Sequence, residues 1–157
     1  MNLKIRLIKE QELKKVAEVY KKAYNNLNAG EEWTDESAYE LLKHLFNKQP
    51  DLFFVAEADS KLVGGFTACI KPWCDGNHLA ANEIFVGPDY QKQGIGNELA
   101  KVMYKTALEK YKIVLVEGTT FRNLEFPLSW HKANGFEEIK DWMLISADPK
   151  VLLENLK

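Results

Sequence analysis

Leu3, Ile5 and Leu7 alternate with Lys4 and Arg6, so the chain opens on a period of two and predicts a strand with one buried face. The period then lengthens. Leu13, Val16, Ala17, Tyr20, Tyr24 and Leu27 recur at helical spacing, with Lys14, Lys15, Glu18, Lys21 and Lys22 forming a solvated face between them. Asn28-Ala29-Gly30 predicts the stop, because glycine tolerates the left-handed backbone of a helix end. A second helix follows. Thr34 is its expected N-cap, Asp35 and Glu36 complement the dipole, and Ala38, Leu41, Leu42, Leu45 and Phe46 form its stripe before Pro50.

Beyond Pro50 the pattern shortens again. Leu52 to Ala56 and Leu62 to Ile70 are apolar runs rich in aromatic and branched residues, separated by Asp59-Ser60-Lys61, which predicts a hairpin. Gly64-Gly65 inside the second run predicts a bulge or bend. Lys71 to His78 reads as a loop by composition, and Leu79 to Val86 as the next strand, ending at Gly87-Pro88. Ile95, Leu99, Val102, Met103 and Ala107 mark a helix running to about Tyr111. Ile113 to Val116 is apolar throughout, as suits a strand covered on both faces. Thr119 to Leu128 is irregular, a short helix is expected through Trp130 to Ala133, Phe136 to Ser146 reads as a final strand, and Asp148-Pro149 starts a helical tail. The expected order is βααβββαβαβ, one α/β (α+β) domain over residues 1–157 with a mixed sheet and helices on both faces.

Composition narrows the function classes. With 46% apolar and 28% charged residues, 157 residues suffice for one sizeable core. A formal charge of −2 with no basic block argues against nucleic acid as a partner. No apolar run reaches the length of a membrane span or a signal sequence, so neither a membrane association nor export is expected, and the location expected is cytoplasmic. Cys69 and Cys74 fit that compartment as free thiols, and with His44, His78 and His131 they form no metal-ligand spacing.

The stretch most suggestive of chemistry is Gln91-Lys92-Gln93-Gly94-Ile95-Gly96, between the Asn82–Val86 strand and a helix. A strand, a glycine turn and a helix N-terminus make an anion site best suited to phosphate. The nucleotide-hydrolase loop requires a Gly-Lys-Ser/Thr that is absent, and the dinucleotide fingerprint fails at Leu99. What remains is Gln-x-x-Gly-x-Gly. The string Glu83-Ile84-Phe85-Val86-Gly87-Pro88-Asp89-Tyr90-Gln91-Lys92-Gln93-Gly94-Ile95-Gly96 resembles the acetyl-CoA-binding segment of the GNAT superfamily of N-acetyltransferases. The later Trp130-His131-Lys132-Ala133-Asn134-Gly135-Phe136 is similar to that family's second signature.

The resemblance implies a mostly antiparallel sheet splayed between its fourth and fifth strands, and acetyl-CoA as co-substrate with no metal. It implies that Gln91, Lys92, Gln93, Gly94, Ile95, Gly96 and Asn97 hold the diphosphate. Phe85 and Val86 would pair by backbone with the pantetheine arm, and the Val86 N–H would face the thioester oxygen. At the position of the family's tyrosine, the general acid, stands His131, whose neutral imidazole N–H can also donate a proton near neutrality. The family often takes the amine proton with a carboxylate on the strand that carries Glu83, the expected base, with Glu117, Asp75 and His78 as weaker candidates. The family's arm-contacting Asn position is Leu124 here, one residue from Asn123. For the acceptor, Trp33, Trp73, Asp75, Glu117 and Phe121, with Glu31 and Glu32, set carboxylates beside aromatics and favour a small-molecule, cationic amine. The missing tyrosine keeps a second class open, a CoA or acyl-CoA-binding sensor or structural module without turnover. A homodimer is compatible with either.

Overall fold

A computed structural model describes residues 1–156. The chain divides into two compact units, Met1–Thr119 and Thr120 onwards. The first contains β1 (Leu3–Leu7), α1 (Leu13–Asn25), α2 (Asp35–Lys48), β2 (Phe53–Ala58), β3 (Lys61–Trp73), β4 (Gly76–Val86), α3 (Ile95–Tyr111) and β5 (Ile113–Val116). The second contains α4 (Glu125–Ala133) and α5 (Pro149–Asn155).

The five strands form one sheet in sequence order. β1 to β4 pair antiparallel, and β4 and β5 pair parallel. Of the expected stripe of α1, Leu13, Val16, Ala17 and Tyr20 are buried, joined by Ala23, with Tyr24 half-buried and Leu27 beyond the helix end. Together with Ala38 and Leu42 of α2 they pack on Phe53, Val55 and Phe85 of the sheet. The other face takes α3 through Ile95, Leu99, Met103 and Ala107, and Phe66 meets Tyr104 of α3 edge-on at 5.7 Å. Phe85 and Phe66 therefore mark opposite faces, as strand alternation requires. Thr34 caps α2 as expected. Its hydroxyl accepts from the Ser37 N–H, and the Ser37 hydroxyl accepts from the Thr34 N–H, both at 3.0 Å.

Register shifts shape the sheet, one of them between β4 and β5, where Asn77 pairs with Ile113 and His78 with Leu115 so that Val114 is skipped. Ala56 pairs with Gly64 and Glu57 with Leu62, so Val63 is the extra residue beside the expected glycine pair. A Cβ on Gly64 would lie 2.7 Å from the Phe85 carbonyl oxygen, so only glycine lets β4 approach this closely. In β4, Thr67 pairs with Glu83 and Cys69 with Ala80, which sets Ala81 and Asn82 against Ala68 alone. Ala81 takes up the excess at φ +51°.

Three expectations are corrected. Lys71 to His78 is not a loop. Lys71 pairs with His78, Pro72 with Asn77 and Trp73 with Gly76, so the turn residues close a tight hairpin at Cys74-Asp75. β5 is the edge strand rather than one covered on both faces: Ile113 is buried, but Val114 and Leu115 are 57% and 42% exposed. Phe136 to Ser146 forms no strand, because the Trp142 N–H bonds back to the Ile139 carbonyl at 3.3 Å and makes a turn of Lys140-Asp141 in mid-run.

Candidate active site

β4 and β5 begin side by side and then part. Asn77 pairs with Ile113, His78 with Leu115 and Leu79 with Val116, and the Glu117 N–H reaches the Leu79 carbonyl at 2.9 Å. Beyond Leu79 no strand among the described residues pairs with β4 on this side. The Gly87 N–H donates to Val63 O of β3 at 2.8 Å, so by alternation the backbone groups of Val86 and Ile84 face the opposite, open edge. At the apex, the Asn82 amide crosses from the β4 bulge and donates to the Glu117 carbonyl at 2.6 Å. Asn82 Oδ1 and the Thr67 hydroxyl are buried there without a hydrogen-bond partner among the described residues.

The open edge leads into the glycine turn. Gln91 ties the turn to the strand by donating from Nε2 to Val86 O at 2.9 Å, and Gln93 Nε2 donates to Asp89 O at 3.2 Å. The Gln91 N–H is used within the turn, to Pro88 O at 3.4 Å. Lys92 at φ +59° and Gly94 at φ +82° reverse the chain into α3. The first amide bonded back into α3 is that of Glu98, to Gly94 O at 3.1 Å, so those of Ile95 and Gly96 lie in the helix mouth. A Cβ on Gly94 would meet nothing within 4 Å, which leaves the turn open to a ligand. Lys92 is exposed beside it. An extended arm bearing amides and ending in a diphosphate fits this combination of strand edge and helix mouth.

On the α1 face, Glu83 lies among aromatics. Tyr24 and Tyr20 donate their hydroxyls to Glu83 Oε2 at 2.6 and 3.2 Å. Trp33 stands edge-on to Tyr20 at 5.1 Å and donates from its indole to Glu31 Oε2 at 2.9 Å. Burial holds the Glu83 carboxyl above the ordinary carboxylate range. The two tyrosine bonds oppose that rise, and the charge of Glu31 adds to it.

Trp73, Asp75 and Glu117 meet in a second cluster around buried His78. Its Nε2 is 2.8 Å from Asp75 Oδ1 and its Nδ1 is 3.4 Å from Glu117 Oε1. Lys71 bonds Glu117 at 2.5 Å and lies 4.2 Å above the Trp73 ring, and that bond is the main reason the Glu117 carboxyl sits below its ordinary range. Three of the acceptor candidates are therefore already engaged with one another, whereas Trp33 stands with Glu83. Phe121 is half-buried in the second unit.

His131 lies on α4 in that second unit, its ring edge-on to Trp130 and to Phe136, each at 5.2 Å. Its Nδ1 is 3.0 Å from the Pro127 carbonyl oxygen, which can only accept. Nδ1 therefore carries the hydrogen, and the neutral ring leaves Nε2 without one. With the Nδ1–H so engaged, donation from Nε2 takes the imidazolium.

A family model described as the acetyltransferase (GNAT) family matches residues 13–136. The chain belongs to the GNAT family. An uncharacterized N-acetyltransferase of Methanocaldococcus jannaschii is 29% identical over 146 residues, covering 88% of this chain and 64% of the relative, so the chain spans less than two thirds of that protein. Among solved structures, the aminoglycoside N-acetyltransferase AAC(6')-Iy with CoA is 19% identical, with a TM-score of 0.70 over 94% of this chain and 95% of the other. The same enzyme with a CoA-S-monomethyl-acetylneamine bisubstrate analog is 20% identical, with a TM-score of 0.69 over 94% and 99%. This GNAT chain shares their fold, a mixed sheet flanked by helices and parted between β4 and β5. Among the described residues of the GNAT chain, no helix is long and apolar enough to cross a membrane, and no group of three or more His, Cys, Asp or Glu could hold a metal ion.

Sequence reasoning missed Tyr20, Tyr24 and Asn82. The two tyrosines were legible in principle: a buried phenol needs a hydrogen-bond partner, and a pair four residues apart on one stripe aims both at the same place.

Proposed function

We propose that this GNAT chain transfers the acetyl group of acetyl-CoA to a primary amine of a small cationic molecule, by direct attack within a ternary complex. The observation that carries the reading is Glu83, a carboxylate held on the strand whose free edge runs into the anion-binding turn. Glu83 accepts a proton from the acceptor ammonium, the amine nitrogen attacks the carbonyl carbon with the electron pair it keeps, and its surplus proton passes to water as the tetrahedral intermediate collapses. The amides of Ile95 and Gly96, with Asn97, Gln93 and Lys92, hold the diphosphate. Gln91 fixes the turn to the strand, and the open backbone edge at Ile84 and Val86 aligns the arm, the backbone of Phe85 being turned to β3. Acetyl-CoA supplies the activated acetyl group. As the carbon–sulfur bond breaks, His131 as imidazolium gives its Nε2 proton to the sulfur. Both free cysteines fit a cytoplasmic location.

The acidic and aromatic group of Glu31, Trp33 and Glu83 favours a cationic acceptor, as does the complex of AAC(6')-Iy with an aminoglycoside bisubstrate analog. The test is thiol release from acetyl-CoA with a panel of primary amines, comparing the natural chain with Glu83→Gln. Release with at least one amine, falling roughly a hundredfold or more in Glu83→Gln at neutral pH, is expected of a general base. Equal rates in the two proteins contradict the assignment. CoA binding with no release across the panel favours the sensor reading.

A further inference from the structure

Tyr20 and Tyr24 sit one turn apart on the buried stripe of α1, where an apolar residue would serve packing equally well. Both hydroxyls nevertheless end on one atom, Glu83 Oε2, at 3.2 and 2.6 Å. The rings are fixed from several sides: they stack on each other at 4.3 Å, Trp33 stands edge-on to Tyr20 at 5.1 Å and to Tyr24 at 6.5 Å, and Phe85 closes on Tyr20 at 5.1 Å. Neither tyrosine bonds Glu83 Oε1. The asymmetry gives the two oxygens different parts.

We propose that Tyr24, held in place by Tyr20 and Trp33, is a positioning residue that pins Glu83 Oε2 and leaves Oε1 to take the acceptor's proton. This rests on the reading of Glu83 as base. In the step, one N–H bond of the acceptor ammonium breaks, its electron pair stays on nitrogen, and the proton goes to Oε1. The groups facing the carboxyl are the two phenols from α1, the Glu31 carboxylate from the segment before α2, and Thr67 across the ladder on β3. Burial, then the charge of Glu83, pushes the Tyr24 phenol well above the ordinary phenol range, and burial does most to raise Tyr20. Both therefore remain donors at every pH at which Glu83 titrates. They favour the carboxylate against the burial that opposes it.

The test is Tyr24→Phe, which keeps the ring and its stacking. Across the amine panel, kcat/KM at neutral pH is expected to fall about tenfold, the loss of one hydrogen bond to a charged group. The acidic limb of the pH profile is expected to move to higher pH, so that activity recovers on the alkaline side. Tyr20→Phe, which loses the longer bond, moves it less. A readout independent of turnover is the carboxyl-carbon NMR titration of the glutamate-labelled full chain, with Glu83→Gln identifying the resonance. Its midpoint is expected to rise in Tyr24→Phe, and to a smaller extent in Tyr20→Phe, which serves as the readout if Tyr24→Phe does not fold. An acidic limb and a carboxyl midpoint unmoved in both variants overturn the proposal. Full activity in Glu83→Gln overturns the base reading itself, whereas an inactive Glu83→Gln with an unmoved Tyr24→Phe profile overturns only the tyrosine's part.

Discussion

Gly94→Ala separates a ligand cradle from an ordinary helix start. Gly94 is the N-cap of α3 at φ +82° and ψ −4°, a left-handed backbone that any other L-residue adopts at a cost of about 1 kcal/mol. An added Cβ meets nothing within 4 Å, so no packing cost is added in the free protein. Stability should therefore fall by about 1 kcal/mol, or about 2–4 °C in Tm for a chain of this size. Gly30→Ala is the control: it too has a left-handed backbone, at φ +85°, with open space around the added carbon, but lies in the loop after α1. Thermal melts of both variants should show similar losses. Calorimetric titration with CoA should then divide them, with affinity down roughly tenfold or more in Gly94→Ala, where the carbon intrudes between backbone amides and phosphate, and unchanged in Gly30→Ala. Equal melting losses with natural CoA affinity in both variants would refute the placement of the diphosphate at this turn.

Two further predictions concern charge. Glu12 accepts from Arg6 at 2.7 and 2.8 Å, and that bond chiefly pulls its carboxyl from 4.5 down to about 2. Because the folded value is depressed, the stabilisation is fully present above the unfolded value and lost as pH falls from about 5 to 2. Glu12→Gln should thus be less stable by about 1–2 kcal/mol at pH 7, allowing for the partial exposure of both side chains, and match the natural chain near pH 2 in urea denaturation; a gap independent of pH would contradict this. His131→Phe keeps an aromatic ring but no proton. It should lower kcat about ten- to a hundredfold, and an unchanged kcat would remove His131 from the proton route.

Much of the fold was legible because its elements are locally consistent. The stripe of α1, the Thr34 cap and the hairpin joining β2 to β3 each follow from residues close together in the chain. Features set by pairing were harder to read. Pro72, Asp75 and Gly76 made Lys71 to His78 read as a loop, and only the β3–β4 register shows that the turn occupies Cys74 and Asp75 alone. The positive φ of the β4 bulge falls on Ala81, a residue type that gives no local signal of it. In the last apolar run, Lys140-Asp141 forms a turn that outweighs the apolar pattern of its neighbours. At the site, the anion turn could be read because glycine spacing encodes backbone geometry directly. The partners of Glu83 are contributed by α1, 59 and 63 residues away in sequence, so neither contact has a local signature. The position of His131 was visible in its motif, whereas its tautomer depends on the carbonyl of Pro127.

The most direct test of the central claim is calorimetric titration of CoA into the natural chain and into Gly96→Asp. Gly96 is the second residue of α3, where an aspartate favours the helix dipole, so the variant should stay folded while placing a negative side chain in the anion site. One-to-one binding by the natural chain, abolished in a Gly96→Asp protein of undiminished Tm, is the predicted result. Equal CoA affinity in the two proteins would contradict the account.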